Sequence, residues 1–490
     1  MQKRLTGSTA RYLTTTLPYV NADPHIGFAF EIVHADIAAR YHTLAGDDVF
    51  FNTGTDEHGQ KIFEKARAAG KDPQAYVDEY AEKFRRLKGA LGLSADIHFI
   101  RTTEPRHRAA AQEFWRRCEA RGDIYKKLYQ MKYCVGCELE KTDSELEKGR
   151  CPLHPAQELE TREEENYFFR FSKYRQPLLD FYERCPDFVV PDFRFNEIKR
   201  FIERGLEDFS ISRLATKMPW GVAIPGDESQ VMFVWFDALV NYVSTLGWPE
   251  DIAQFEKYWG RPEAPRAVQF AGKDNLRQQS AMWQAMLLSA GLPLSRQIVI
   301  HGFITSGGQK MSKSLGNVIN PYDIVEGYGV DALRYYLARH IHPFEDSDFT
   351  MEKFTDAYNA NLANGLGNFV ARVMALVAKS KIKNQKSKLQ FKSQKLRTVL
   401  DTATQSYHAA FGAYHIQNVA DAVWKLIQAG DEHVQETRPW EGEKQDVLED
   451  LTALLGEIAT LLVPILPETA GKIKSALETC TMPAPLFPRE

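Results

Sequence analysis

Short apolar runs recur along the chain, each followed by a glycine-bearing turn and then by apolar residues at helical spacing. Residues 11–20, RYLTTTLPYV, read as a strand running into a proline-bearing turn. Residues 21–46 follow, with Ile32, Val33, Ile37 and Ala38 at helical spacing. Strand, turn with Gly27, then helix is the opening of a nucleotide-binding α/β unit, whose helix N-terminus attracts phosphate. Residues 47–62 and 268–293 repeat the theme, and QIVI (297–300) reads as a further buried strand. It leads to Gly307-Gly308, a pair expected to leave the loop beyond it mobile. VMFVWFDALVNYVSTLG (231–247) is apolar almost throughout and reads as a core strand entering a helix. Residues 63–120 read as helices with charged faces, and the chain beyond the acidic loop HPFEDSDF as all-helical.

Length changes the picture first: 490 residues are too many for one core, so three or four domains are expected. With 44% hydrophobic and 26% charged residues, the composition is that of an ordinary globular protein. A net charge of −4 argues against indiscriminate coating of nucleic acid and leaves room for a local basic face. The N-terminal stretch lacks the apolar core of a signal peptide, and no apolar run approaches membrane-spanning length. Six cysteines in such a chain are not a disulfide framework, so the expected setting is reducing and cytoplasmic.

Four of the sulfur and imidazole donors fall in one window. Cys134 and Cys137 form a Cys-x-x-Cys, Cys151 and His154 a Cys-x-x-His, with thirteen residues between the pairs. Three thiolates and one imidazole make a closed tetrahedral Zn2+ site, and four protein ligands leave no open position, so the metal is expected to be structural. Cys118 and Cys185 are spare and read as buried thiols.

From Tyr358 to Leu400 the chain has no acidic residue, and 379–397 is rich in lysine. A solvated basic face and an RNA contact are the two readings, and the company it keeps favours RNA.

The most specific stretch is HGFITSGGQKMSKSLGN, 301–317, which carries Lys310, Ser312, Lys313 and Ser314 behind the glycine pair. Lysines on such a loop can reach a polyphosphate as charge builds on it. The KMSKS pentapeptide resembles the second signature of class I aminoacyl-tRNA synthetases. His25 and Gly27, at the start of the first helix, resemble the first signature; Phe28 stands where that family carries a second histidine. GTDEHG, VWFDA, Gly272-Lys273-Asp274 and the Cys/His insertion narrow the resemblance to methionyl-tRNA synthetases, over nearly the whole chain.

That resemblance implies a fold and a chemistry. The expected architecture is α/β: a Rossmann-type parallel-sheet catalytic domain (1–117 and 231–320) with a zinc-bearing insertion (118–230). A stem-contact linker (321–357) and an all-α anticodon-binding helical bundle (358–490) follow. ATP, entering with Mg2+, would be held by His25, Gly27, Gly272, Lys273, Asp274, Lys310 and Lys313, with His25 and the two KMSKS lysines as the catalytic groups. L-Methionine would be held by Leu17, Tyr19, Asp56, Trp235, Tyr242 and Gln279, the last standing where the family commonly has histidine. Asn368, Arg372 and Trp440 align with residues that read the anticodon of tRNA(Met), by base edges and by stacking. The methionine carboxylate attacks the α-phosphate, pyrophosphate leaves, and the acyl group passes to the terminal ribose of the tRNA. The family's extra C-terminal module is not seen, which favours a monomer. Two alternatives stay open: a catalytically idle RNA-binding relative, and another class I enzyme such as the cysteinyl one.

On the residues themselves, Asp56 and Glu57 also read as helix-capping acids, and Trp440 as a packed residue after Pro439.

Overall fold

The computed structural model describes residues 9–488 apart from 22, 135–138, 142–145, 153, 312–316, 381–390 and 443. At its centre six strands form one sheet in the order His98–Arg101, Asp48–Thr55, Ala10–Thr15, Ala267–Gly272, Gln297–His301, Val189–Val190. Every pairing is parallel. A parallel sheet is covered on both faces, and its strands are therefore apolar throughout rather than alternating. In the first strand Tyr12 and Leu13 accordingly go to opposite sides, each into its own apolar cluster.

On the Leu13 side lies the helix Ile26–Ala45, which runs from its cap at His25 to a left-handed Gly46. The same apolar cluster continues without a break into the C-terminal helices Asn368–Lys379, Gln394–Gly412, Ile416–Thr437, Gln445–Leu462 and Pro467–Thr479. The fold is thus a Rossmann-type α/β domain joined to a helical bundle, as the resemblance implies.

One buried arginine marks the join. Arg334 donates to the carbonyls of Leu91 (3.0 Å), Pro464 (2.9 Å) and Ile465 (2.9 Å). Its guanidinium also lies 2.8 Å from Asp36 on the first helix, and neither side chain meets solvent.

The insertion carries an antiparallel sheet in the order Leu139–Lys141, Ile124–Cys134, Glu160–Phe169, Phe209–Ser210. Val189–Val190, inside the stretch expected to form the insertion, pairs with Gln297–His301 at the edge of the central sheet.

Candidate active site

The strand order reverses between Ala10–Thr15 and Ala267–Gly272, and in open parallel sheets ligands bind outside the carboxyl ends of the strands at that point. Most of the predicted site residues gather there. His25 caps the first helix, its Nδ1 accepting from the Gly27 amide at 3.1 Å. With Nδ1 used as an acceptor, the neutral ring carries its proton on Nε2, where it can be donated to an anion. Phe28 is turned away from such work: its ring packs edge-on against Phe84 at 5.4 Å. It is an apolar packing residue where the resemblance expects a polar one.

Across the crevice, Gly272 ends its strand where a Cβ would lie 2.8 Å from Oδ1 of Asp274, so only glycine lets that carboxylate fold against the backbone. Lys273 is engaged by Asp346 (2.6 and 2.8 Å), which also accepts from the Phe303 amide (3.0 Å).

The glycine pair departs from its expected role. Gly307 (φ 61°) and Gly308 (φ 74°) are the two central residues of a tight hairpin joining Ile304–Ser306 to Gln309–Lys310. Positive φ at both positions is what a two-residue hairpin turn demands, so the glycines fix the chain's direction rather than loosening it. Asp348 holds the turn, accepting from the Gly308 amide at 2.8 Å and from Thr305 Oγ1 at 3.1 Å. Lys310 closes the hairpin; Lys313, Ser312 and Ser314 lie outside the described residues.

The acids of the GTDEHG stretch divide their roles. The following helix is capped by Gly59, so neither acid is a helix cap. Glu57 is buried and bonded to Arg101 (2.7 and 2.9 Å), Thr55 (2.6 Å) and Thr103 (2.5 Å). Asp56 pairs through its backbone with the Pro18–Val20 segment, beside Tyr19. Its Oδ1 is shut off from solvent and has no partner among the described residues. Burial, and then the charge of Asp237, hold its carboxyl well above the usual range. An ammonium group is the ligand that would relieve both effects.

Behind it, Asp237 is fully buried and faces His58 at 3.1 Å and His107 at 3.7 Å. Tyr242 and Gln279 are buried together, and Leu17 and Trp235 are part-exposed at the rim. Gln279 does not point a free amide into the space: its Nε2 donates to the Tyr242 hydroxyl and its Oε1 accepts from Gln269.

In the insertion, the donor atoms of Cys134, Cys151 and His154 lie within 4.8 Å of one another, and Cys134 Sγ is 3.7 Å from His154 Nδ1. Two ligands about 2.0–2.3 Å from one tetrahedral metal sit roughly 3.5 Å apart, so the cluster fits a metal ion. Cys137 lies outside the described residues.

The family described as tRNA synthetases class I (M) matches residues 11–160 and 143–374. The methionine–tRNA ligase of Thermosynechococcus vestitus is 43% identical over 479 residues, which cover 95% of this chain and 89% of that protein. That of Thermotoga maritima is 40% identical and covers 94% of this chain and 74% of its own length. Methionyl-tRNA synthetase from Mycobacterium tuberculosis, solved in complex with methionyl-adenylate, matches with a TM-score of 0.85 at 34% identity, covering 98% and 99% of the two chains. The chain belongs to the class I methionyl-tRNA synthetases.

Two parts of the chain bear on the remaining expectations. Asn368 and Arg372 share the helix Asn368–Lys379, where Arg372 is paired with Asp431 at 2.5 Å. Trp440 is 52% exposed while Pro439 before it is buried, so the indole is not a packed residue. Of the basic run 379–397, residues 381–390 lie outside the described residues.

Sequence reasoning also missed a residue. Glu31 is buried at the crevice and accepts from the Thr16 amide (2.8 Å) and hydroxyl (2.6 Å). Burial pushes its carboxyl up to about 8. An acid inside the apolar run FAFEIV was the signal that could have found it.

Among the described residues no helix is long and apolar enough to cross a membrane.

Proposed function

We propose that this chain activates L-methionine with ATP and transfers it to the 3′ end of tRNA(Met). The observation that carries the reading is Asp56: its Oδ1 is shut off from solvent and has no partner among the described residues, at the carboxyl ends of strands whose reversal makes a nucleotide crevice. An amino acid held there by its ammonium presents its carboxylate toward the nucleotide side.

The chemistry asks the protein for placement and charge rather than for a nucleophile. ATP enters as its Mg2+ complex. Nε2–H of His25 donates to a phosphate oxygen, and Lys310 and Lys313 approach the leaving pyrophosphate from the opposite side. Asp274 receives ribose hydroxyls, with Gly272 giving room for it and Gly27 the turn at the helix start. Lys273 takes part through Asp346 or by exchanging it for phosphate. Asp56 holds the methionine ammonium, Leu17, Tyr19 and Trp235 wall the side chain, and the Tyr242–Gln279 pair forms the floor. The methionine carboxylate attacks the α-phosphate in line and pyrophosphate leaves; a hydroxyl of the terminal ribose then takes the acyl group and AMP leaves. Zn2+ would be held by Cys134, Cys137, Cys151 and His154 and would brace the insertion, away from the reaction. Asn368, Arg372 and Trp440 read the anticodon.

Pyrophosphate exchange measured with each of the twenty amino acids tests this. Methionine alone should support exchange. Exchange with cysteine instead, or with none, overturns it.

A further inference from the structure

Behind Tyr242 and Gln279 runs a relay of hydrogen bonds that the reading above does not use. Gln269, on the strand Ala267–Gly272, and Gln279, Gln284 and Ser295 are all buried, as is Tyr242. Two of the links have only one possible direction. The backbone amide of Ser295 can only donate, and it meets Oε1 of Gln284 at 3.1 Å. The carbonyl of Gln279 can only accept, and it meets Nε2 of the same Gln284 side chain at 2.9 Å. The second proton of that Nε2 goes to Ser295 Oγ at 3.1 Å. Ser295 Oγ then sends its own proton onward, to Oε1 of Gln269 at 2.6 Å. Nε2 of Gln269 therefore faces Oε1 of Gln279 (3.3 Å), and Nε2 of Gln279 donates to the Tyr242 oxygen (2.7 Å).

The direction of the last link decides what Tyr242 does. Its oxygen already receives a proton from Gln279, so its own O–H proton is left for another acceptor. The neighbouring amide is not that acceptor, for Oδ1 of Asn241 has no partner among the described residues. The charges of Glu31 and Asp56, two carboxyls of the crevice, both reach the Tyr242 hydroxyl, which places it at the pocket. With the relay broken, the amide of Gln279 is free to turn over, and its Oε1 would draw that proton out of the pocket. We propose that Ser295, Gln284 and Gln269 are positioning residues that hold Tyr242 as a donor toward the bound side chain. The pocket thereby selects a side chain that carries an acceptor, a thioether, over an apolar one of equal length. The proposal deepens the activity inferred above and rests on it; exchange with methionine by the unaltered protein tests that activity separately.

Exchange is measured with methionine and with norleucine, its apolar isostere, and the ratio of the two kcat/KM values is compared between variants. The unaltered protein should favour methionine by at least about tenfold, since norleucine leaves the buried O–H unpaired. Ser295→Ala and Gln269→Met each release the Gln279 amide and should lower that ratio by about fivefold or more. Tyr242→Phe should lower it as far. Ser295→Ala added to Tyr242→Phe should lower it no further, because the relay acts through that hydroxyl. Calorimetric binding of the two amino acids without ATP should show the same changes in the ratio of their Kd values, and reads the relay even if exchange fails. An unaltered protein without the preference, or an unchanged ratio in both single variants, overturns the proposal. So does an equal loss with both amino acids, which would make the relay a support of the fold, or a further fall in the double variant.

Discussion

Gln279 donates from Nε2 to the hydroxyl of Tyr242 over 2.7 Å, with both side chains buried and the other end of the amide held by Gln269. The pair is a fixed surface rather than two adaptable contacts. Tyr242→Phe removes the acceptor and leaves a buried N–H unpaired, at a cost of about 1–3 kcal/mol. The variant should melt at a lower temperature and show a raised KM for methionine with an unchanged KM for ATP. An unchanged methionine KM would separate the pair from the pocket.

Lys313→Ala should slow adenylate formation by roughly a hundredfold or more, since one donor aimed at developing charge contributes about 3–4 kcal/mol. Methionine binding without ATP should hardly change. The single-turnover rate of adenylate formation is the deciding measurement, and a rate equal to that of the unaltered protein removes the lysine from the mechanism.

For the metal, Cys134→Ser should lower the zinc content and loosen the insertion, because a lost thiolate opens the tetrahedron. Elemental analysis decides: full zinc in the variant, or none in the unaltered protein, contradicts the site.

Glu31 gives a pH dependence with a definite sign. Its carboxyl is pushed from an ordinary value of 4.5 to about 8 by burial, so the folded state binds a proton that the unfolded chain releases. Its contribution to stability is complete below pH 4.5 and is lost as the pH rises to about 8. Glu31→Gln keeps the shape without the titration. Relative to the unaltered protein it should gain up to about 1.4 kcal/mol per pH unit across that window in denaturant melts. A difference that does not vary with pH would show the carboxyl to be ionised in the fold.

Trp440→Ala should weaken charging of tRNA(Met) by roughly ten- to a hundredfold, the loss of one stacked base being about 1–3 kcal/mol. Exchange and the melting temperature should stay near those of the unaltered protein. Equal loss in both activities would make Trp440 a support of the fold, which its exposure argues against.

The sequence carried the strand–turn–helix units well, because the period of apolar residues and the glycine that ends each run are local signals. It carried the cluster of Cys134, Cys151 and His154 for the same reason, since two short spacings hold its donors close, whereas His25 came from the resemblance and not from spacing. What it did not carry depends on distant partners. Nothing near Lys273 foretells Asp346, 73 residues on, nor anything near Asp237 its pairing with His58, 179 residues away. Gly307 and Gly308 show the same limit at short range. Two glycines permit either looseness or a left-handed turn, and Asp348, which selects the turn, comes 40 residues after Gly308.

Arg334 has a consequence for how the two parts of the chain are held. Its guanidinium sits against Asp36 on the first helix and against the chain turn at Pro464 and Ile465, with no solvent on either side. Replacing Asp36 by an apolar residue would strand that charge in apolar surroundings, at a cost of about 3–5 kcal/mol. The first helix and the turn at Pro464 and Ile465 therefore share one buried polar network. One side chain thus fixes how the first helix of the sheet lies against the end of the bundle, so a change at Asp36 is felt in both.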